Sequence, residues 1–155
     1  MIIYSEQKRK IGRLKKRDLM MIGIGLYWGE GQKVGSSVSI SNTDPRIILF
    51  SLLWLEKCFG IERTSPKVSI YTHFYSDMDA NKEIMFWKRT LGVKKSQFAK
   101  SYIKLSKRSD LDHKSFGHGT CRIQVASAKI KRQILAAMRI FSERAGSSAV
   151  VAPSL

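Results

Sequence analysis

The chain has 155 residues, 43% hydrophobic and 26% charged. That is enough for one domain to bury roughly two thirds of its unfolded surface, and too apolar for a disordered chain. Lys and Arg number 28 against 12 Asp and Glu; the resulting +16 opposes compaction and points to a polyanionic partner, while no apolar run reaches the ~18 residues of a membrane span.

No signal-peptide h-region follows the basic N-terminus, and Cys58 and Cys121 sit inside apolar runs. They read as buried thiols in a reducing compartment, not as a disulfide framework. A cytoplasmic location, bacterial or organellar, is expected. Residues 1–17 form a basic N-terminal arm in which Lys8, Arg9, Lys10, Arg13, Lys15, Lys16 and Arg17 crowd together. Such an arm can contact phosphates, or can simply be a solvated helix face.

The stretch Asp18 to Gly31 predicts a short, almost wholly apolar helix, with Asp18 as N-cap and Gly31 as a left-handed C-terminal residue. A helix apolar all round must be buried all round. Glycine costs about 1 kcal/mol against alanine in a helix interior, so Gly25 and Gly29 need a reason. Four residues apart, they leave one face without side chains, next to Ile22 and Leu26, where a second backbone can approach. Glu30 stands in the last turn, where the helix dipole disfavours an acid. A positive group supplied from outside, such as a hard cation, would answer it.

Gln32 to Ser36 passes into a short strand or turn. Ser37 to Asn42 then alternates, Val38 and Ile40 on one face, Ser37, Ser39 and Ser41 on the other. Thr43-Asp44-Pro45 starts a helix that runs to about 59 and stops at Gly60. A second strand over 67–73 again alternates, with Lys67, Ser69, Tyr71 and His73 opposite Val68 and Ile70. A helix is expected over 79–91, and a strand over 98–104 displaying Lys100, Tyr102 and Lys104. Residues 106–119 read as a loop, 121–125 as a strand with Arg122 and Gln124 outward, and 127–144 as an amphipathic helix. The tail after Gly146 is small and loose. Asp110, Asp112, His113, His118 and Cys121 lie within a dozen residues, but their spacing fits no zinc pattern. No P-loop, G-x-S-x-G or dinucleotide fingerprint is present.

An antiparallel sheet packed on helices by one face explains this alternation. Its outward residues are the more telling part. They include no carboxylate, and a face of Ser, Tyr, His, Arg and Gln can donate to phosphates and read base edges.

The segment Gly23-Ile-Gly-Leu-Tyr-Trp-Gly-Glu-Gly31 resembles the LAGLIDADG motif of homing endonucleases and intron maturases. The match falls on Gly25-Leu26 and on Gly29-Glu30-Gly31; it departs at Gly23-Ile24, which replaces Leu-Ala, and at Trp28, where an acid is common. As a pattern of elements it spans residues 18–145. The resemblance implies an α+β fold with an antiparallel, saddle-shaped sheet backed by helices and laid on double-stranded DNA. With one motif per chain, it implies a homodimer joined through the motif helices. It further implies Mg²⁺ held by Glu30 and the Gly29 carbonyl, phosphodiester hydrolysis, and a polar pocket of Asn42, Arg46 and a lysine, Lys129 or Lys33. The alternative within the resemblance is non-catalytic: an intron RNA maturase or a transcription regulator.

Overall fold

The structure, a computed structural model, describes residues 1–74, 80–99, 102–105 and 117–146. Over these residues the chain is an α+β protein. Its elements are α1 (Ile2–Ile11), α2 (Lys16–Glu30), β1 (Val38–Asn42), α3 (Pro45–Phe59), β2 (Lys67–Phe74), α4 (Ala80–Leu91), β3 (Tyr102–Leu105), β4 (Thr120–Val125) and α5 (Ala128–Gly146). No helix among the described residues is long and apolar enough to cross a membrane.

α3 is the central helix, and its limits are written in its ends. The Asp44 carboxylate accepts from the Arg46 amide at 2.9 Å, Pro45 occupies the first turn, and Gly60 closes the helix at φ +68°. Its inner side buries Ile48, Leu52, Trp54 and Leu55. α2 lies against α3, and here glycine is required. A Cβ on Gly23 would stand 2.2 Å from the Trp54 indole. Tyr27, fully buried, packs near the same indole with ring centroids 6.2 Å apart.

Two details of α2 differ from the sequence expectation. The helix starts earlier, and Asp18 sits inside the first turn, where its carboxylate accepts the Lys15 amide at 2.7 Å. Gly31 is extended at φ −82°, not left-handed. Its glycine is explained by crowding, since a Cβ there would stand 2.4 Å from the Tyr27 ring. Within the basic arm, α1 is a helix with no buried residue, because its sequence offers no continuous apolar stripe to pack.

β4 is flanked antiparallel by β1 and β2, in the order β1-β4-β2-β3. The register aligns Ile40, Ile123 and Val68 in one row and Ser41, Arg122 and Ser69 in the next. Val38, Ile40, Val68, Ile70, Cys121 and Ile123 thereby fall on the helix-covered face and are all buried. The expected all-antiparallel sheet is corrected at its edge: β3 runs parallel to β2, with Tyr71 opposite Tyr102 and His73 opposite Lys104. The chain reaches β3 only after α4, the kind of crossover that a parallel neighbour requires. Alternation within a strand carries no information about direction.

Lys100, Asp110, Asp112 and His113 lie outside the described residues, as does the tail after Gly146. His118 and Cys121 do not come together as ligands. His118 Nδ1 is 2.8 Å from Glu83 Oε2 and its ring stacks on Phe86, while Cys121 lies in the core, where burial pushes its thiol pKa up.

Arg63 clips the helices at one end of the core. Its Nε donates to Glu56 Oε1 at 2.9 Å, its Nη2 to Glu56 Oε2, and its Nη1 to the Leu91 carbonyl at 3.0 Å. The guanidinium beside Glu56 holds that carboxyl below its ordinary pKa. Because the folded value is depressed, the stabilisation is complete above the unfolded carboxylate range and is lost as the pH falls through the folded value. Arg63→Met should cost about 2 kcal/mol at neutral pH. Denaturant titrations of both proteins at pH 7 and pH 3 should show that difference shrink at the lower pH.

Candidate nucleic-acid interface

The open face of the sheet is built around Arg122. β4 places it in the middle strand of three, between Ser41 on β1 and Ser69 on β2. Its Nε donates to Ser39 Oγ at 2.7 Å, its Nη2 to Gln32 Oε1 at 3.0 Å, and its Nη1 reaches Tyr71 Oη at 3.5 Å. Three of its five N–H donors are thus engaged by described residues, and the guanidinium plane is fixed. Gln124 is the neighbouring outward residue on β4, opposite Ser39 and Lys67. None of β1, β2 or β4 contains Asp or Glu.

Of the face residues expected from the sequence, Ser39, Ser41, Lys67, Ser69, Tyr71, Arg122 and Gln124 share this surface by register. Ser39 is the exception in exposure: at 2% it lies beneath the Arg122 guanidinium and holds it rather than facing solvent. Ser37 and Lys33 fall in the connection between α2 and β1. His73, Tyr102 and Lys104 occupy register positions at the β2–β3 edge.

The end of α2 borders this face. Glu30 is exposed, and its Oε2 accepts from Asn42 Nδ2 at 3.1 Å. Asn42 is itself held, with its Oδ1 accepting the Asp44 amide at 2.8 Å. The sequence expectation therefore brings Glu30 and Asn42 together. Arg46 follows on α3 and forms a two-pronged pair with Asp44, the residue whose amide Asn42 holds, and that hydrogen-bonded guanidinium lowers the Asp44 carboxyl pKa. Lys129 lines a groove with Lys16, Met20 and Ile24, beside the first half of α2 and away from Glu30.

The donors at this end are all oxygen: the Glu30 carboxylate, with the Gly29 carbonyl in a helix turn whose carbonyls lack intrahelical partners. Oxygen donors suit a hard divalent cation. Among the described residues, however, no three His, Cys, Asp or Glu side chains converge.

The opposite side of α2 from the core is bare. A Cβ on Gly25 or Gly29 would meet nothing within 4 Å, and Met21, Ile22 and Trp28 are 40%, 45% and 43% exposed. Leu26 is half-buried at its margin. The expectation of a helix buried all round is thus corrected for a single chain, which has only one face for α2 to cover.

Two residues that support this face escape a reading of the sequence. Gln32 sits just past the helix, where a polar residue is unremarkable, yet its side chain anchors Arg122. Lys131 is 2% exposed, although a lysine between Ile130 and Arg132 looks solvated. Its only sequence signal is its place at the margin of the Ile130–Ile134 stripe. No protein-family model, no curated protein and no solved structure matches the chain.

Proposed function

We propose that the chain is a LAGLIDADG-type endonuclease that binds duplex DNA on the open face of its sheet and cuts it as a homodimer. The observation that carries the reading is the carboxylate-free face centred on the fixed Arg122, bordered by the Glu30–Asn42 pair at the end of a helix whose outer side is bare. In this reading the two α2 helices pack through Gly25 and Gly29, with Ile22 and Leu26 beside them. Two Glu30 carboxylates then meet near the two-fold axis and would repel unless cations lay between them. Mg²⁺ held there by Glu30 and the Gly29 carbonyl would activate water and offset charge on the leaving oxygen. Asn42 orients Glu30. Arg122 and Gln124 read base edges, while Lys33, Lys67 and the basic arm meet phosphates. A reducing, cytoplasmic compartment suits the free thiols of Cys58 and Cys121.

One observation favours a non-catalytic second reading, an RNA-binding maturase or a regulator of the same fold. The Arg46 guanidinium is committed to Asp44, and Lys129 lines the groove beside the first half of α2.

Salt tests the binding. Affinity for a duplex should fall linearly in log–log form, with a slope of about −0.9 per phosphate neutralised. Arg122→Ala should reduce discrimination between sequences more than total affinity. Binding that is flat in salt, or absent at low salt, removes the proposal.

A further inference from the structure

Lys131 on α5 is a buried charge with all of its protons used. Its Nζ donates to Tyr27 Oη at 2.8 Å, to the Ser37 carbonyl at 3.2 Å and to the Gln32 carbonyl. Tyr27 Oη donates in turn to the same Gln32 carbonyl. Burying an ammonium is costly even when it is fully bonded, and an apolar side chain of equal length would pack α5 on α2 without that cost. What the charge adds is a grip on both ends of the segment from Gln32 to Ser37, which joins α2 to β1.

That grip leads to Arg122. The Gln32 amide donates to the Ser39 carbonyl at 2.9 Å, its side-chain Oε1 accepts from Arg122 Nη2, and Ser39 Oγ accepts from Arg122 Nε. The two shortest of the three contacts that fix the guanidinium therefore depend on the residue whose backbone Lys131 holds. We propose that Lys131 and Gln32 are positioning residues for Arg122, holding its plane ready to present its remaining N–H groups to a base edge. An arginine already held in one plane loses less side-chain freedom when it pairs with a guanine edge. The inference rests on the nucleic-acid reading above and deepens it: sequence discrimination is set from beneath the sheet as well as on it.

The test uses the full chain and two duplexes of equal length, one enriched from a random library by the wild type and one unrelated. Its readout is the ratio of the two affinities. Gln32→Ala, at an exposed position, should lower that ratio about tenfold, the scale of one good arginine–base pair, with affinity for the unrelated duplex nearly unchanged. Lys131→Met should act in the same direction. In an Arg122→Ala background, Gln32→Ala should change the ratio no further. A merely structural role would lower both affinities together and leave the ratio alone. Should Lys131→Met fail to fold, Gln32→Ala and the double variant decide alone. An unchanged ratio in Gln32→Ala, or effects that multiply with Arg122→Ala, overturns the proposal. A wild type that binds duplexes without preference overturns the positioning role, whereas one that binds none at low salt overturns the nucleic-acid reading itself.

Discussion

Glu30→Gln should abolish divalent-dependent cleavage of a selected duplex while leaving its binding intact. A bound cation is worth several kcal/mol of transition-state stabilisation, so losing its carboxylate should slow cutting by at least about a hundredfold. Glutamine keeps the shape of the side chain and an oxygen that can still accept from Asn42, which bonds Glu30 at 3.1 Å. Removing a negative charge from the last turn of α2 also relieves its clash with the helix dipole. The variant should therefore be as stable as the wild type, or more stable by up to about 1 kcal/mol, without metal. Cutting rates and binding constants on one duplex in Mg²⁺ give both halves of the answer. Equal cutting by the two proteins removes Glu30 from the chemistry. No cutting by the wild type on a duplex it binds tightly favours the maturase or regulator reading.

The second large effect is on folding. Gly23→Ala should destabilise the protein by about 1–3 kcal/mol, as overpacking a rigid core does. The new methyl would stand 2.2 Å from the Trp54 indole, which is fully buried and has no room to turn. Alanine's better helix propensity returns only about 1 kcal/mol. Gly25→Ala, one turn position away from any neighbour, should be neutral or slightly stabilising in the monomer. Thermal melts separate these two glycines. Sedimentation adds the third case: Gly25→Leu should leave a folded chain that no longer pairs, and a Gly25→Leu protein that still sediments as a dimer would place the interface elsewhere.

Much of the fold is legible because its signals are local. Asp44-Pro45 and Gly60 bracket α3 as expected, and the alternation of Val68, Ile70, Ile123 and Val125 marks the faces of β2 and β4. What stays hidden depends on contacts between distant segments. The parallel pairing of β2 with β3 is a choice of neighbour, and nothing in either strand records it. The glycines show the same limit. Spacing sets Gly25 and Gly29 apart as one bare face, and both face open space, yet nothing near Gly23 in the sequence records that it meets Trp54 from α3. In the site, Glu30 stands out because it breaks a local rule of helix ends, and Arg122 because its strand alternates. Gln32 and Lys131 break no local rule that a reader could weigh; their importance comes from acceptors and donors 90 and 99 residues away.

Which surface would meet nucleic acid under the proposed function is the most direct question, because the helices are basic too. α5 carries Lys129, Arg132, Arg139 and Arg144 at exposed positions, a rival surface that net charge alone cannot distinguish from the sheet. A photo-crosslinking residue placed at Gln124, on the open face of β4, or at Arg139, on the outer side of α5, separates the two. Crosslinking to a bound duplex from position 124 and none from position 139 is the expected result. Crosslinking from 139 with none from 124 would contradict binding through the sheet.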